Sequence, residues 1–108
     1  MTTPRAYTPE ELREMVLYHM RTLARYWANL PDQTPLERCE GVAFSILTMI
    51  DGSAGGVTFA LTLVADCDPG DKQFRIDEGE NWVEPGTDLN SDCMLHEVFY
   101  QAEREQRG

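Results

Sequence analysis

Residues 36–50 read LERCEGVAFSILTMI, and no other run of the chain carries apolar side chains so far around a helix. At 100° per residue, Leu36, Cys39, Val42, Ala43, Phe44, Ile46, Leu47, Met49 and Ile50 cover an arc of roughly 220°. A helix that apolar is buried on more than one side. Gly41 costs it about 1 kcal/mol relative to alanine, a cost that makes sense if another element packs closely over that position. The start is marked by Thr34-Pro35-Leu36-Glu37, a capping box: Thr34 accepts from the N3 amide, Pro35 suits the first helical position, and Glu37 reaches back to the Thr34 amide. Asp51-Gly52 marks the stop.

Upstream, Thr8-Pro9-Glu10-Glu11 repeats the same box. Leu12, Met15, Val16, His19, Met20, Leu23, Tyr26, Trp27 and Leu30 then recur along one face, which predicts an amphipathic helix of about twenty residues ending at Asn29-Leu30-Pro31-Asp32. The short linker to Thr34 makes the two helices an antiparallel αα-hairpin. Downstream, after the flexible loop Gly52–Gly56, Val57, Phe59, Leu61 and Leu63 alternate with Thr58, Ala60, Thr62 and Val64, the pattern of a strand. A strand needs partners, and 73–76 and 81–84 are the candidates. Pro85-Gly86 reads as a turn. Leu89-Asn90-Ser91-Asp92 leads into a last helix with the stripe Leu95, Val98, Phe99 and Ala102. The expected fold is α+β: an N-terminal antiparallel αα-hairpin and a C-terminal helix packed on a small antiparallel sheet, in a single domain 1–108 with 1–6 and 104–108 frayed.

The chain has 108 residues and a formal net charge of −10. The charge is uneven. Residues 1–65 hold seven acids against five bases, whereas 66–108 hold twelve against four. An acidic second half argues against direct binding to nucleic acid or an anionic membrane, both of which need Lys and Arg to neutralise phosphate. No run approaches the length of a membrane span, and MTTPRAYTPEE has no apolar signal core, so a cytoplasmic location is expected. Three cysteines, Cys39, Cys67 and Cys93, show no CxxC spacing and are expected to be reduced; Cys39 and Cys67 read as packing residues.

Several clusters could carry chemistry. Asp66-Cys67-Asp68-Pro69-Gly70-Asp71 offers three carboxylates, but its glycine and final aspartate stand in the reverse of the calcium-loop order, so a solvated turn is expected and no metal. Cys93 and His96 lie three apart on the last helix, the spacing of a thiol–imidazole pair, with no oxyanion site legible beside them. Gly52–Gly56 lacks the Lys-Ser/Thr of a phosphate loop, and no cofactor is expected. His19 and Glu40 are ionisable residues on the apolar faces of the first and second helices. Buried charges demand partners, and the hairpin brings them within a turn of each other, so they are expected to form a buried polar pair.

The stretches Glu40-Gly41-Val42-Ala43-Phe44-Ser45-Ile46-Leu47, Gly79 through Asn90 (GENWVEPGTDLN) and Leu95-His96-Glu97-Val98-Phe99-Tyr100, with Asp51-Gly52, resemble small uncharacterised bacterial and phage-borne proteins of about this length. The resemblance covers most of the chain beyond Arg38. It implies a prokaryotic or mobile-element setting and brings no activity or catalytic residue with it.

The expected function is that of a small acidic, non-enzymatic interaction or regulatory protein. Its acidic second half binds a basic protein partner through Asp77, Glu78, Glu80, Trp82 and Glu84. One alternative is a nucleic-acid-mimicking inhibitor, which needs its carboxylates in rows on one face. Another is a small enzyme using Cys93 and His96 or the Glu40–His19 pair. Leu17, Tyr18, Ala24 and Ala28 add apolar area beyond the first helix's main face, for which a homodimer is the simplest remedy.

Overall fold

The computed structural model of the protein describes residues 3–100. Helices α1 (Pro9–Ala28) and α2 (Pro35–Ile50) form the expected hairpin. Both capping boxes close. Thr8 Oγ1 accepts from the Glu11 amide at 3.2 Å while Glu11 accepts from the Thr8 amide at 2.9 Å, and the Thr34–Glu37 pair repeats this at 3.1 and 2.7 Å. In the connection Asp32 takes a left-handed φ of 63°, and Arg38 Nη2 donates to the Leu30 carbonyl at 3.0 Å, tying the linker to α2.

The neighbour expected over Gly41 is Trp27. A Cβ at Gly41 would stand 2.5 Å from the indole ring, whose Nε1 donates to Ser45 Oγ at 3.0 Å. Glycine therefore admits the ring, and Ser45, one turn further along α2, orients it. The best-buried apolar side chains are Met49 of α2, 1% exposed, and Val57, 3% exposed, just after the glycine loop. The core lies where α1, α2 and this following segment meet.

The sheet of the α+β expectation is absent: the described residues contain no β-strand, so there is no sheet for helices to pack on. The alternation itself is real. Phe59, Leu61, Leu63, Ala65 and Cys67 are half-buried, whereas Thr58, Ala60, Thr62, Val64 and Asp66 are exposed. What is missing is a partner strand. One antiparallel bridge joins Val64 to Asp88, with Ala65 N donating to Thr87 O at 2.8 Å and Leu89 N to Leu63 O at 2.9 Å. Before it, the amide of Leu61 bonds the Ile50 carbonyl at the end of α2 at 2.9 Å. The Asn90 side chain takes the Leu63 amide and donates to the Leu61 carbonyl at 2.9 and 2.8 Å. A helix end and one amide side chain supply the hydrogen bonds that a strand would have supplied.

The candidate strand 73–76 lies instead in α3 (Asp71–Asp77). The pairs Asp71–Arg75 at 3.6 Å and Gln73–Asp77 at 2.8 Å have i,i+4 spacing, which supports a helix and has no counterpart in a strand. Gly79, at φ 73°, turns the chain. Residues 81–84, the other candidate, run back beside α3 as irregular chain. A helical segment begins at Leu95 and continues to Tyr100; Ala102 and the tail 104–108 lie outside the described residues, as do residues 1 and 2. Of the N-terminal arm, Arg5 is held by two bonds to the Glu11 carboxylate at 2.8 and 3.0 Å.

Candidate functional site

The acidic half is built around α3. Of the ten carboxylates between Asp66 and Glu97, all but Asp71 are exposed. The two bases of the same stretch are already engaged: Lys72 with Glu84 at 2.8 Å, and Arg75 with Glu80 at 2.6 Å and Asp71. Asp88, exposed as well, is engaged locally: it accepts from the Ser91 hydroxyl and from the amides of Asn90 and Ser91 at 2.9 and 2.8 Å, bonds that hold its carboxyl below the usual range. Asp77 and Glu78 stand together at the end of α3, exposed and without a cation partner among the described residues.

Trp82 is 45% exposed. Its Nε1 donates to Glu84 at 3.3 Å, and the Lys72 ammonium stands 5.3 Å from the ring centroid. Lys72 therefore bridges ring and carboxylate, and its bond, with that of Trp82, lowers the Glu84 carboxyl below its ordinary value. Next to this cluster, Cys67 Sγ donates to the Val83 carbonyl at 3.5 Å. Burial pushes its thiol up, and the negative charges of Asp71, Asp66, Glu84 and Asp68 push it further. Four carboxylates acting on one thiol make it a poor nucleophile and mark the local field as negative.

A second polar centre joins the end of α2 to the start of the last helical segment. The Asp51 side chain, 1% exposed, accepts from the amides of Leu95 and His96 at 3.0 and 2.8 Å, and its Oδ2 lies 2.6 Å from His96 Nδ1. Burial alone would raise the Asp51 carboxyl; the His96 amide, the His96 ring and the Leu95 amide outweigh it and hold the carboxyl below its ordinary value. An ionised carboxylate only accepts, so His96 Nδ1 carries a proton. Asp51 thus caps the last helix from the end of α2. In the sequence Asp51 marks a helix stop, although an acid at a helix C-terminus opposes the macrodipole and hints at service elsewhere.

Cys93 and His96 share a turn but not a site. Cys93 lines a shallow depression with Asn90, Ser91, Asp92 and Met94, to which His96 does not contribute, and His96 is engaged by Asp51 and stacked edge-on against Phe44. The expected His19–Glu40 pair is not brought together: no hydrogen bond or ion pair links them among the described residues. His19 instead lies against Gly56, its Nδ1 2.7 Å from where a Cβ there would stand, because Trp27, facing Gly41 and Ser45, sets a register that carries His19 towards the far end of α2. The Asp66–Asp71 stretch forms a turn in which Asp68 accepts from the Gly70 amide at 2.8 Å. Among the described residues no three His, Cys, Asp or Glu side chains converge as metal ligands, and none of the three cysteines is in a disulfide.

No protein-family model, no curated protein and no solved structure matches this chain. Among the described residues no helix is long and apolar enough to cross a membrane.

Proposed function

We propose that this is a prokaryotic or phage-associated, non-enzymatic interaction protein acting in the cytoplasm, which binds a basic protein partner through the surface around α3 and Trp82. The observation that carries the reading is the large exposed tryptophan propped by Glu84 and Lys72 beside carboxylates that the local bases do not neutralise. An aromatic ring fixed at its edge by a hydrogen bond loses little entropy on being covered, and aromatic anchors dominate interface energies. Exposed Asp66, Asp68, Asp77 and Glu78 supply the long-range attraction for a cationic surface. Folding does not need such an excess, which costs stability through self-repulsion.

The test uses two baits in a bacterial lysate: the wild-type chain, and a variant carrying Asp77→Lys, Glu78→Lys and Trp82→Ala. Glu80 and Glu84 are left intact because they hold Arg75 and Lys72. Basic proteins retained by the wild-type bait and lost from the variant are the expected result. The same set retained by both baits would overturn the reading.

A further inference from the structure

The face of α1 turned away from α2 is exposed along its whole length. Its charges run in one order: Glu10 and Glu14 come first, Leu17 and Tyr18 stand at the middle, and Arg21 and Arg25 follow, all exposed. On a helix these six fall within an arc of roughly 100°, opposite the stripe of Leu12, His19, Leu23 and Trp27 that faces inward. Acid, apolar, base is a sequence that reads as its own complement when reversed.

We propose that a second copy of this chain docks on this face, with the two α1 helices antiparallel and a two-fold axis passing between Leu17 and Tyr18. In that register Glu14 of one copy comes level with Arg21 of the other and Glu10 with Arg25, twice each, while Leu17 and Tyr18, 100° apart on the helix, each meet their own counterpart on the two flanks of the crossing. A parallel pair would instead set acid against acid and base against base, so the charges select the two-fold arrangement. Within one chain Arg21 Nη2 already bonds Glu14 at 2.5 Å; in the pair each such arginine lies between two carboxylates. The chain as a whole exposes 8394 Å², about 2,300 Å² more than a folded monomer of its mass shows and shared between this face and the rest of the surface; a stable dimer needs about 800 Å² from each partner.

The dimer face is on α1 and the proposed partner surface is on α3, so either reading can fail without the other. Sedimentation equilibrium tests the pairing with three chains. Wild type at high micromolar concentration should sediment at twice the chain mass. Glu10→Arg with Glu14→Arg makes the face wholly basic, and Arg21→Glu with Arg25→Glu makes it wholly acidic; each alone should associate at least about tenfold more weakly, whereas an equimolar mixture should recover the dimer. Far-ultraviolet circular dichroism checks that the variants keep their helices. Should a reversal unfold the chain, Leu17→Ser with Tyr18→Ser takes its place, with a helical monomer expected. A monomeric wild type, a dimer unaffected by the reversals or by the serine pair, or a folded mixture that fails to associate would overturn the proposal.

Discussion

Gly41 sets how closely α1 and α2 approach, and Asp51 sets where the end of the chain returns. Both are single side-chain decisions. A methyl group at Gly41 would stand 2.5 Å from the Trp27 ring, so the ring must move and its bond to Ser45 must break. The helix propensity gained by Gly41→Ala, about 1 kcal/mol, is outweighed by overpacking and the lost bond, and a net destabilisation of about 1–2 kcal/mol is expected. A raised denaturant midpoint would refute this packing. Asp51→Asn keeps one acceptor of two and should cost about 1–3 kcal/mol at neutral pH. Because the Asp51 carboxyl is held below its ordinary 3.8 in the fold, its contribution is full above that value and is lost as pH falls through the lower folded value. The gap between wild type and Asp51→Asn should therefore narrow below about pH 4; a constant gap would remove the carboxylate from the account. A neighbour over Gly41 was legible in the sequence, since an otherwise apolar helix carries glycine for a reason. The reach of Asp51 was not, because its partners lie 44 and 45 residues away.

At the level of elements, α1 and α2 announce themselves through paired capping boxes and helical periodicity, both local signals. The stretch after them misleads for a physical reason. Residues 57–64 alternate like a strand and do turn alternate residues inward, but alternation reports which side chains are covered and does not say what bonds the backbone. Here Asn90 does much of that bonding. Asn90→Ala would leave the Leu63 amide and the Leu61 carbonyl without their partner and should destabilise by about 1–3 kcal/mol; amide exchange at Leu63 as slow as in wild type would show that another acceptor serves. Residues 73–76 mislead in the opposite way. Four residues alternate by chance, whereas the i,i+4 pairs that make α3 emerge only when Asp71 and Asp77 are included. Met49 is the side chain on which α2 and the following segment converge. Met49→Ala should cost about 2–5 kcal/mol through transfer and cavity terms, read as a lowered midpoint with unchanged slope, and an unchanged midpoint would move the core elsewhere.

The whole molecule is open and asymmetric in charge. Its radius of gyration of 18.1 Å compares with about 13 Å for a compact domain of this length, and aromatic side chains such as Tyr18, Phe74 and Trp82 remain more than 40% exposed. Such a surface is well suited to being covered by other molecules, and the two proposals assign different parts of it: α1 to a second copy and the α3 region to a basic partner. The charge asymmetry behind the second proposal was legible from the order of charged residues in the sequence. The engagement of Lys72 and Arg75 by Glu84, Glu80 and Asp71, which leaves Asp77 and Glu78 at the end of α3 without a cation partner among the described residues, required the structure. In the proposed complex these charges steer a cationic partner to Trp82. Stopped-flow association of the captured partner with wild type and with Asp77→Lys, Glu78→Lys across a series of salt concentrations reads that steering. The wild-type on-rate should fall steeply with ionic strength, the off-rate should change little, and the reversed variant should lose about tenfold or more of the low-salt on-rate. An on-rate indifferent to both salt and reversal would contradict the steering and leave the acidic half a solubility feature.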